Sequence, residues 1–328
     1  MTSRGSEGRL LWRTYYGARV MRIPETFARS TVDREGEAGA AWLAELPRIV
    51  GELLRRWECV RDGEVMHGGV GVIVPVRRPA EGPAVLKVSF PHPGNVHEPD
   101  AFAVWGGRGA VRLYERDDER FAMLLERART STLAEVEDDD EVVTVAGRLS
   151  HCLAVPAPPG LPRLREQADF WEEQLRLDAE ELPHNLPRHV LDTALATVRE
   201  LGRTQPDTVI HGDLHAGNIL RADREPWLAV DPKGYAGDPA YDGGTLLKAL
   251  ALRFLQLPDL SKAVRRAVDV FAEAAEVDRE RARRWAQFHA VETAFHGRRH
   301  GFRIARSGPQ LDRITEFADG LAELLTEA

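Results

Sequence analysis

The string HGDLHAGNIL, residues 211–220, sets an acid, Asp213, five residues before an amide, Asn218. A second acid, Asp231, follows the apolar run LAV and opens the string DPKG. Phosphoryl transfer requires such a set: one acid to take a hydroxyl proton, and an amide oxygen and a carboxylate to hold magnesium on the phosphates. Asp213 is therefore the candidate base. Asn218 and Asp231 are the candidate Mg2+ ligands, because that ion takes hard oxygen donors and keeps several of its waters. Asp and Asn are also common turn formers. The length and spacing of the combined string carry the reading, not any one residue.

These strings need elements to position them. They lie on two short strand-like runs, 208–210 and 227–230, each followed by a loop. Upstream, apolar residues at Trp42, Leu43, Leu46, Ile49, Val50, Leu53, Leu54 and Trp57 have helical spacing. Pro47 predicts a fresh start or a kink there. Strand-like runs follow at 71–76, 84–90, 111–114 and 121–126, with a helix-sized segment at 98–105. Helical patterns then cover about 132–153, 163–181, 187–202, 242–256, 260–275, 278–298 and 309–327. The run AVPAPPGLP, 154–162, reads as a rigid extended connector. Residues 1–20 lack periodicity and read as an extension ahead of Met21.

Composition narrows the class. The 328 residues are 43% hydrophobic and 29% charged, without an apolar run long enough to span a bilayer or a signal-peptide core. Cys59 and Cys152 are far apart and have no metal-ligand spacing, which predicts reduced, buried thiols in a cytoplasmic protein. A net charge of −8 argues against a nucleic-acid partner. It is compatible with a cationic small molecule, though on charge alone plain solubility is the favoured reading. Nothing in the sequence points to a membrane or a protein partner.

The spacing from Asp213 to Asn218 is that of the protein-kinase catalytic loop, with DPKG standing where DFG would. The HGD variant resembles the aminoglycoside phosphotransferase branch of that fold. Further strings resemble its streptomycin 6-phosphotransferase and hydroxyurea phosphotransferase family: AWLAELP, WGGRGAVRLYERD, MLLERA, TLAEVEDDDE, VPAPPGLPRL and EPWLAVDPKGYAGDPAYD. They extend from about Met21 to Leu255; the last part of the chain matches less distinctively. The resemblance implies an α+β, protein-kinase-like two-lobe fold. Its small β-rich N-lobe would span 21–128 and its mostly helical C-lobe 129–328, with ATP between them. It implies ATP and Mg2+ as cofactors and transfer of the γ-phosphate to a hydroxyl of streptomycin, a cationic aminoglycoside. A kinase of another small alcohol such as hydroxyurea, choline or a sugar is the first alternative. A nucleotide-binding pseudokinase is the second.

The resemblance also distributes roles. Lys87 in AVLKVSF, like the Val-Ala-Ile-Lys of kinases, would meet the ATP phosphates, with Glu98 as ion-pair partner and Asp100 as substitute. Gly68 and Gly69 in HGGVG would lie over the phosphates, or form a plain hairpin turn. The backbone from Glu126 to Ala128 would bind adenine as a hinge. His211 would be scaffolding, and Asp242 a brace for the catalytic loop or a helix cap. His215 would contact phosphate or stabilise its loop. Lys233 would neutralise phosphate charge or be a solvated turn lysine. The guanidinium groups of streptomycin would seek carboxylates such as Glu292. The runs 138–141 and 172–173 read as solvated acidic helix faces.

Overall fold

The structure is a computed structural model that describes residues 21–79, 81–182, 186–255, 257–302 and 308–327. The expected extension at 1–20 lies outside the described residues. The chain divides into two units. The first holds the described residues up to Pro99 together with Val111–Arg127; the second holds Asp100–Ala110 and everything from Ala128.

The first unit is a helix on an antiparallel sheet. Helix α1 is Glu25–Arg56, and the strands are β1 (Val60–Arg61), β2 (Met66–His67), β3 (Gly71–Arg78), β4 (Gly82–Ser89), β5 (Leu113–Asp117) and β6 (Ala122–Glu126). The sheet order is β1-β3-β4-β6-β5, with β2 also paired to β3. Alternation decides its faces. Val72, Val74, Val76, Ala84, Leu86 and Val88 form one core with Leu46, Val50, Leu53 and Leu54 of α1. The helix does not start afresh at Pro47, which lies inside it; the break falls at Gly36, at φ 61° and ψ −136°. Burial of Leu46 and Val50 on either side of Pro47 offsets the lost backbone donor. Glycine alone takes the Gly36 conformation without strain.

The second unit is mostly helical. Helix α2, Glu98–Trp105, enters it from the first unit, and α3 (Asp139–Leu153), α4 (Ala168–Glu181) and α5 (Arg188–Thr197) follow. Two β-ribbons come next: β7 (Val209–Ile210) with β10 (Tyr235–Ala236), and β8 (Ile219–Arg221) with β9 (Trp227–Ala229). Helices α6 (Ala240–Phe254), α7 (Leu260–Ala275), α8 (Arg279–His300) and α9 (Pro309–Glu327) close the unit. Asp138, Asp259 and Asp278 cap α3, α7 and α8 by accepting backbone N–H groups. Trp285, Phe271, Phe288 and Phe295 are fully buried among these helices.

Several expectations change in this unit. The patterns at 132–153 and 163–181 begin as 3-10 turns, Leu133–Glu135 and Leu164–Gln167, before their α-helices. The connector is tied down: Val209 N–H donates to Val155 O at 2.7 Å, and Ala236 N–H to Pro162 O at 2.9 Å. The acidic runs are not simply solvated. Glu172 is 8% exposed and gathers Arg176, Arg199 and Arg203, while Asp139 and Asp140 pair with Arg253 and Arg266. Arg176 is only a helical turn from Glu172, but the other partners lie far along the chain, outside the reach of local periodicity. Both cysteines are free; Cys59 is buried, but Cys152 is only partly so.

Candidate active site

In the first unit, Lys87 sits mid-strand on β4, and its neighbours Leu86 and Val88 point into the α1 core. Lys87 therefore projects from the opposite face. It is 5% exposed, and its Nζ lies 2.5 Å from Oε1 of Glu98, itself 2% exposed. A buried ammonium requires such a partner, because desolvation of an unpaired charge costs several kcal/mol, on the order of a domain's net stability. HGGVG forms the β2–β3 turn: Gly68 N–H donates to Gly71 O at 2.9 Å, and Arg34 Nη1 donates to Gly69 O at 3.2 Å. A Cβ at Gly69 would meet nothing within 4 Å, so the turn's tip is open. The Glu126 N–H already donates to Arg112 O at 2.8 Å, and its Oε2 accepts from Arg112 N–H at 3.0 Å.

In the second unit, the loop after β7 and the loop after β9 are cross-linked. His211 Nε2–H donates to Val230 O at 2.9 Å, Lys233 N–H to His211 O at 2.8 Å, and Val230 N–H to Asn218 O at 2.9 Å. Asn218 Nδ2–H donates to Asp213 O at 3.0 Å, which leaves its Oδ1 as the oxygen to offer a metal. Asp231 follows Val230 directly, with a left-handed backbone, φ 59°, that Asp tolerates better than most residues. Lys233 Nζ lies 3.4 Å from Oδ2 of Asp213, both about a third exposed. The lysine thus stands beside the candidate base. His215 Nδ1 accepts from Gly217 N–H at 3.1 Å, a loop-stabilising contact.

Beneath this loop lies a buried brace. Asp242, on α6 and 1% exposed, accepts from His211 N–H at 3.0 Å and from Gly212 N–H at 2.8 Å. Burial pushes its carboxyl up to about 7, against the pull of those two donors. His211 is wholly buried, and its ring stacks on Trp105 with centroids 6.3 Å apart. Its Nδ1 accepts from Asp213 N–H at 3.3 Å while Nε2 faces the Val230 carbonyl. A carbonyl accepts and an amide N–H donates, so the ring is neutral with its proton on Nε2. Burial lowers its pKa from 6.5 to about 4, more than the nearby Asp213 charge and the Val230 carbonyl raise it. Gly212, at φ 78°, leaves no room for a side chain: a Cβ would lie 2.9 Å from Tyr235 Cδ2 and 3.1 Å from Lys233 Cβ.

The structure thus brings His211, Asp213, His215, Asn218, Lys233 and Asp242 together, with Asp231 one residue from the cross-link. It pairs Lys87 with Glu98. Two aromatic partners escaped the sequence reading, Trp105 on His211 and Tyr235 on Gly212; neither has a local sequence signal.

A family model described as "Aminoglycoside/hydroxyurea antibiotic resistance kinase" matches residues 56–301. The chain belongs to this family. A streptomycin 6-kinase of Streptomyces griseus is 40% identical over 267 residues, covering 81% of this chain and 87% of the relative. A hydroxyurea phosphotransferase of Kitasatospora aureofaciens is 35% identical over 285 residues, covering 86% and 81%. The fold is that of kinase-like enzymes. A solved choline kinase from Streptococcus pneumoniae superposes with TM-score 0.53 at 13% identity, covering 87% of this chain and all of that one. No helix among the described residues is long and apolar enough to cross a membrane.

Proposed function

We propose that the chain transfers the γ-phosphate of ATP to a hydroxyl of streptomycin, with Asp213 as the base. The carrying observation is the loop geometry: Asp213 stands beside Lys233, on a backbone held by Asp242 and neutral His211. In the transfer, the substrate oxygen forms a bond to the γ-phosphorus as the bond to the bridging oxygen breaks. The electron pair leaves on ADP, and the hydroxyl proton passes to the Asp213 carboxylate. Lys87, fixed by Glu98, contacts ATP phosphate oxygens, and the tip of the Gly68–Gly69 turn offers them the backbone N–H of Gly69, that of Gly68 being committed to Gly71 O. Lys233 offsets negative charge near the reacting oxygens.

The donor set of Asn218 and Asp231 is all hard oxygen, which fits Mg2+. Bound there, the ion would neutralise charge on the phosphates. His215 is assigned to loop support, since its Nδ1 is committed to Gly217. The names of the relatives support streptomycin first and hydroxyurea second. Mass spectrometry of streptomycin and hydroxyurea incubated with Mg-ATP tests the reading. One phosphate on streptomycin with the wild type and none with Asp213→Ala is expected. Equal transfer by Asp213→Ala refutes the base; transfer to hydroxyurea alone refutes the acceptor.

A further inference from the structure

Helix α1 folds back on itself. In an unbroken helix Phe27 and Trp42 would stand about 22 Å apart along the axis. Their rings instead meet edge to face at 6.1 Å, because α1 breaks at Gly36. Residues 25–35 therefore turn back on the rest of α1. A Cβ at Gly36 would meet nothing within 4 Å, so glycine supplies backbone conformation there and not room.

The folded-back segment lands on the HGGVG turn. Phe27, wholly buried, lies 5.3 Å ring to ring from His67, which opens the turn. Toward the turn's other end, Phe90 N–H donates to Val70 O at 2.8 Å, and Trp42 meets the Phe90 ring edge to face at 5.6 Å. The two peptides of the tip are held by their carbonyls. His67 Nδ1–H donates to Gly68 O at 3.0 Å, and its Nε2 accepts from the Thr26 hydroxyl at 3.3 Å. A carbonyl only accepts, which fixes this sense in the neutral ring. Arg34 Nη1 donates to Gly69 O at 3.2 Å, while its Nε donates to Glu35 Oε1 at 2.5 Å. In a trans peptide the N–H points opposite to the C=O. Holding the Gly68 and Gly69 carbonyls therefore aims the N–H groups of Gly69 and Val70, neither of which has a partner among the described residues. Glycine lets such peptides rotate, so their direction depends on contacts from outside the turn.

We propose that residues 25–35, folded back at Gly36, set the phosphate-binding turn, with Arg34 as the positioning residue that aims the Val70 N–H at a nucleotide phosphate. The proposal rests on the reading of the HGGVG turn as a phosphate contact. Arg34 acts through the Gly69–Val70 peptide, whose donor end is turned toward the ligand by holding its acceptor end. Donors fixed in direction before binding spare the nucleotide the cost of ordering them.

Calorimetric titration with Mg-ATP and amide hydrogen exchange of the protein alone test this, on wild type, Arg34→Ala and Arg29→Ala. Arg29 lies on the same segment, pairs with Glu25 and loses the same charge, so it separates the contact from the field. Arg34→Ala should weaken Mg-ATP binding about three- to tenfold, the effect of one net hydrogen bond. It should also speed exchange of the Gly68 amide, which closes the turn onto Gly71 O. Arg29→Ala should match the wild type in both. Arg34→Lys, which keeps a charged donor, should recover part of the lost affinity. In turnover, KM for ATP should rise in Arg34→Ala while KM for the acceptor stays fixed. Equal Mg-ATP affinity of Arg34→Ala and wild type overturns the proposal, as does an equal loss in Arg29→Ala. Faster exchange in Arg34→Ala, with no Mg-ATP bound by wild type, overturns the phosphate reading of the turn and leaves the restraint standing.

Discussion

Replacing His211 by Gln should change how stability depends on pH, in a window fixed by two groups. His211 falls from 6.5 to about 4 on folding. Below 6.5 the unfolded chain takes a proton that the folded chain refuses, so its contribution is complete above 6.5 and is lost as pH falls toward 4. The gap of about 2.5 pH units, at 1.36 kcal/mol per unit, is worth about 3 kcal/mol. Asp242 acts with the opposite sign. Its folded value, about 7 against an ordinary 3.8, means the folded chain holds a proton the unfolded chain has shed. That contribution is complete below 3.8 and is lost as pH rises through 7, worth about 4 kcal/mol. From 4 to 6.5 the two slopes nearly cancel in the wild type. Gln can keep both contacts of the ring, donating to Val230 O and accepting from Asp213 N–H, but cannot titrate. Urea unfolding in the presence of a chelator, at half-unit steps from pH 7.5 to 4, measures the difference. Relative to wild type, His211→Gln should gain about 3 kcal/mol as pH falls through this window, and Asp242→Asn should lose about 4. Curves for variant and wild type that stay parallel would refute the assignment of a buried neutral histidine against a proton-holding acid.

Lys87→Met removes the ammonium that pairs with the buried Glu98 carboxylate and should cost about 3–5 kcal/mol in urea unfolding, with a raised KM for ATP. Adding Glu98→Gln should restore stability but not turnover, and a double variant no more stable than the single one would contradict the pairing. Gly244→Ala should destabilise by about 1–3 kcal/mol through overpacking against His289 and the Trp285 carbonyl, read by thermal unfolding. Asn218→Asp replaces the Nδ2 donor to Asp213 O by an oxygen, and should lower kcat and cost about 1–3 kcal/mol of stability, read by turnover beside urea unfolding.

The chemistry-bearing loops were legible because their residues are close in sequence: Asp213, Asn218 and Asp231 fall within nineteen positions of one another, counting both ends. The Lys87–Glu98 pair was readable for the same reason, since one strand and one turn connect its halves. The helices of the second unit were legible from period, although their 3-10 openings were not, because a capping box such as Thr132–Glu135 starts either kind of turn. Contacts that join distant segments left no trace in the string. Glu172 looked solvated until Arg199 and Arg203 came round from the far side of α5. Tyr241 and His289, 48 positions apart, acquire meaning only once α6 lies on α8. Pro47 shows the converse, a local signal overridden by burial of the helix that carries it.

The cross-links between the two catalytic loops consist of main-chain donors and acceptors together with His211, Asn218 and Asp242. All of them join one part of the protein to another, so the entropy of ordering these loops is lost when the chain folds rather than at each turnover. Substrate then meets groups that need no rearrangement at the moment of reaction. The arrangement also separates two kinds of inheritance. Exposed side chains elsewhere in the second unit can drift without touching the loops, because the bonds that fix Asp213 depend on a different set of atoms and persist through the change.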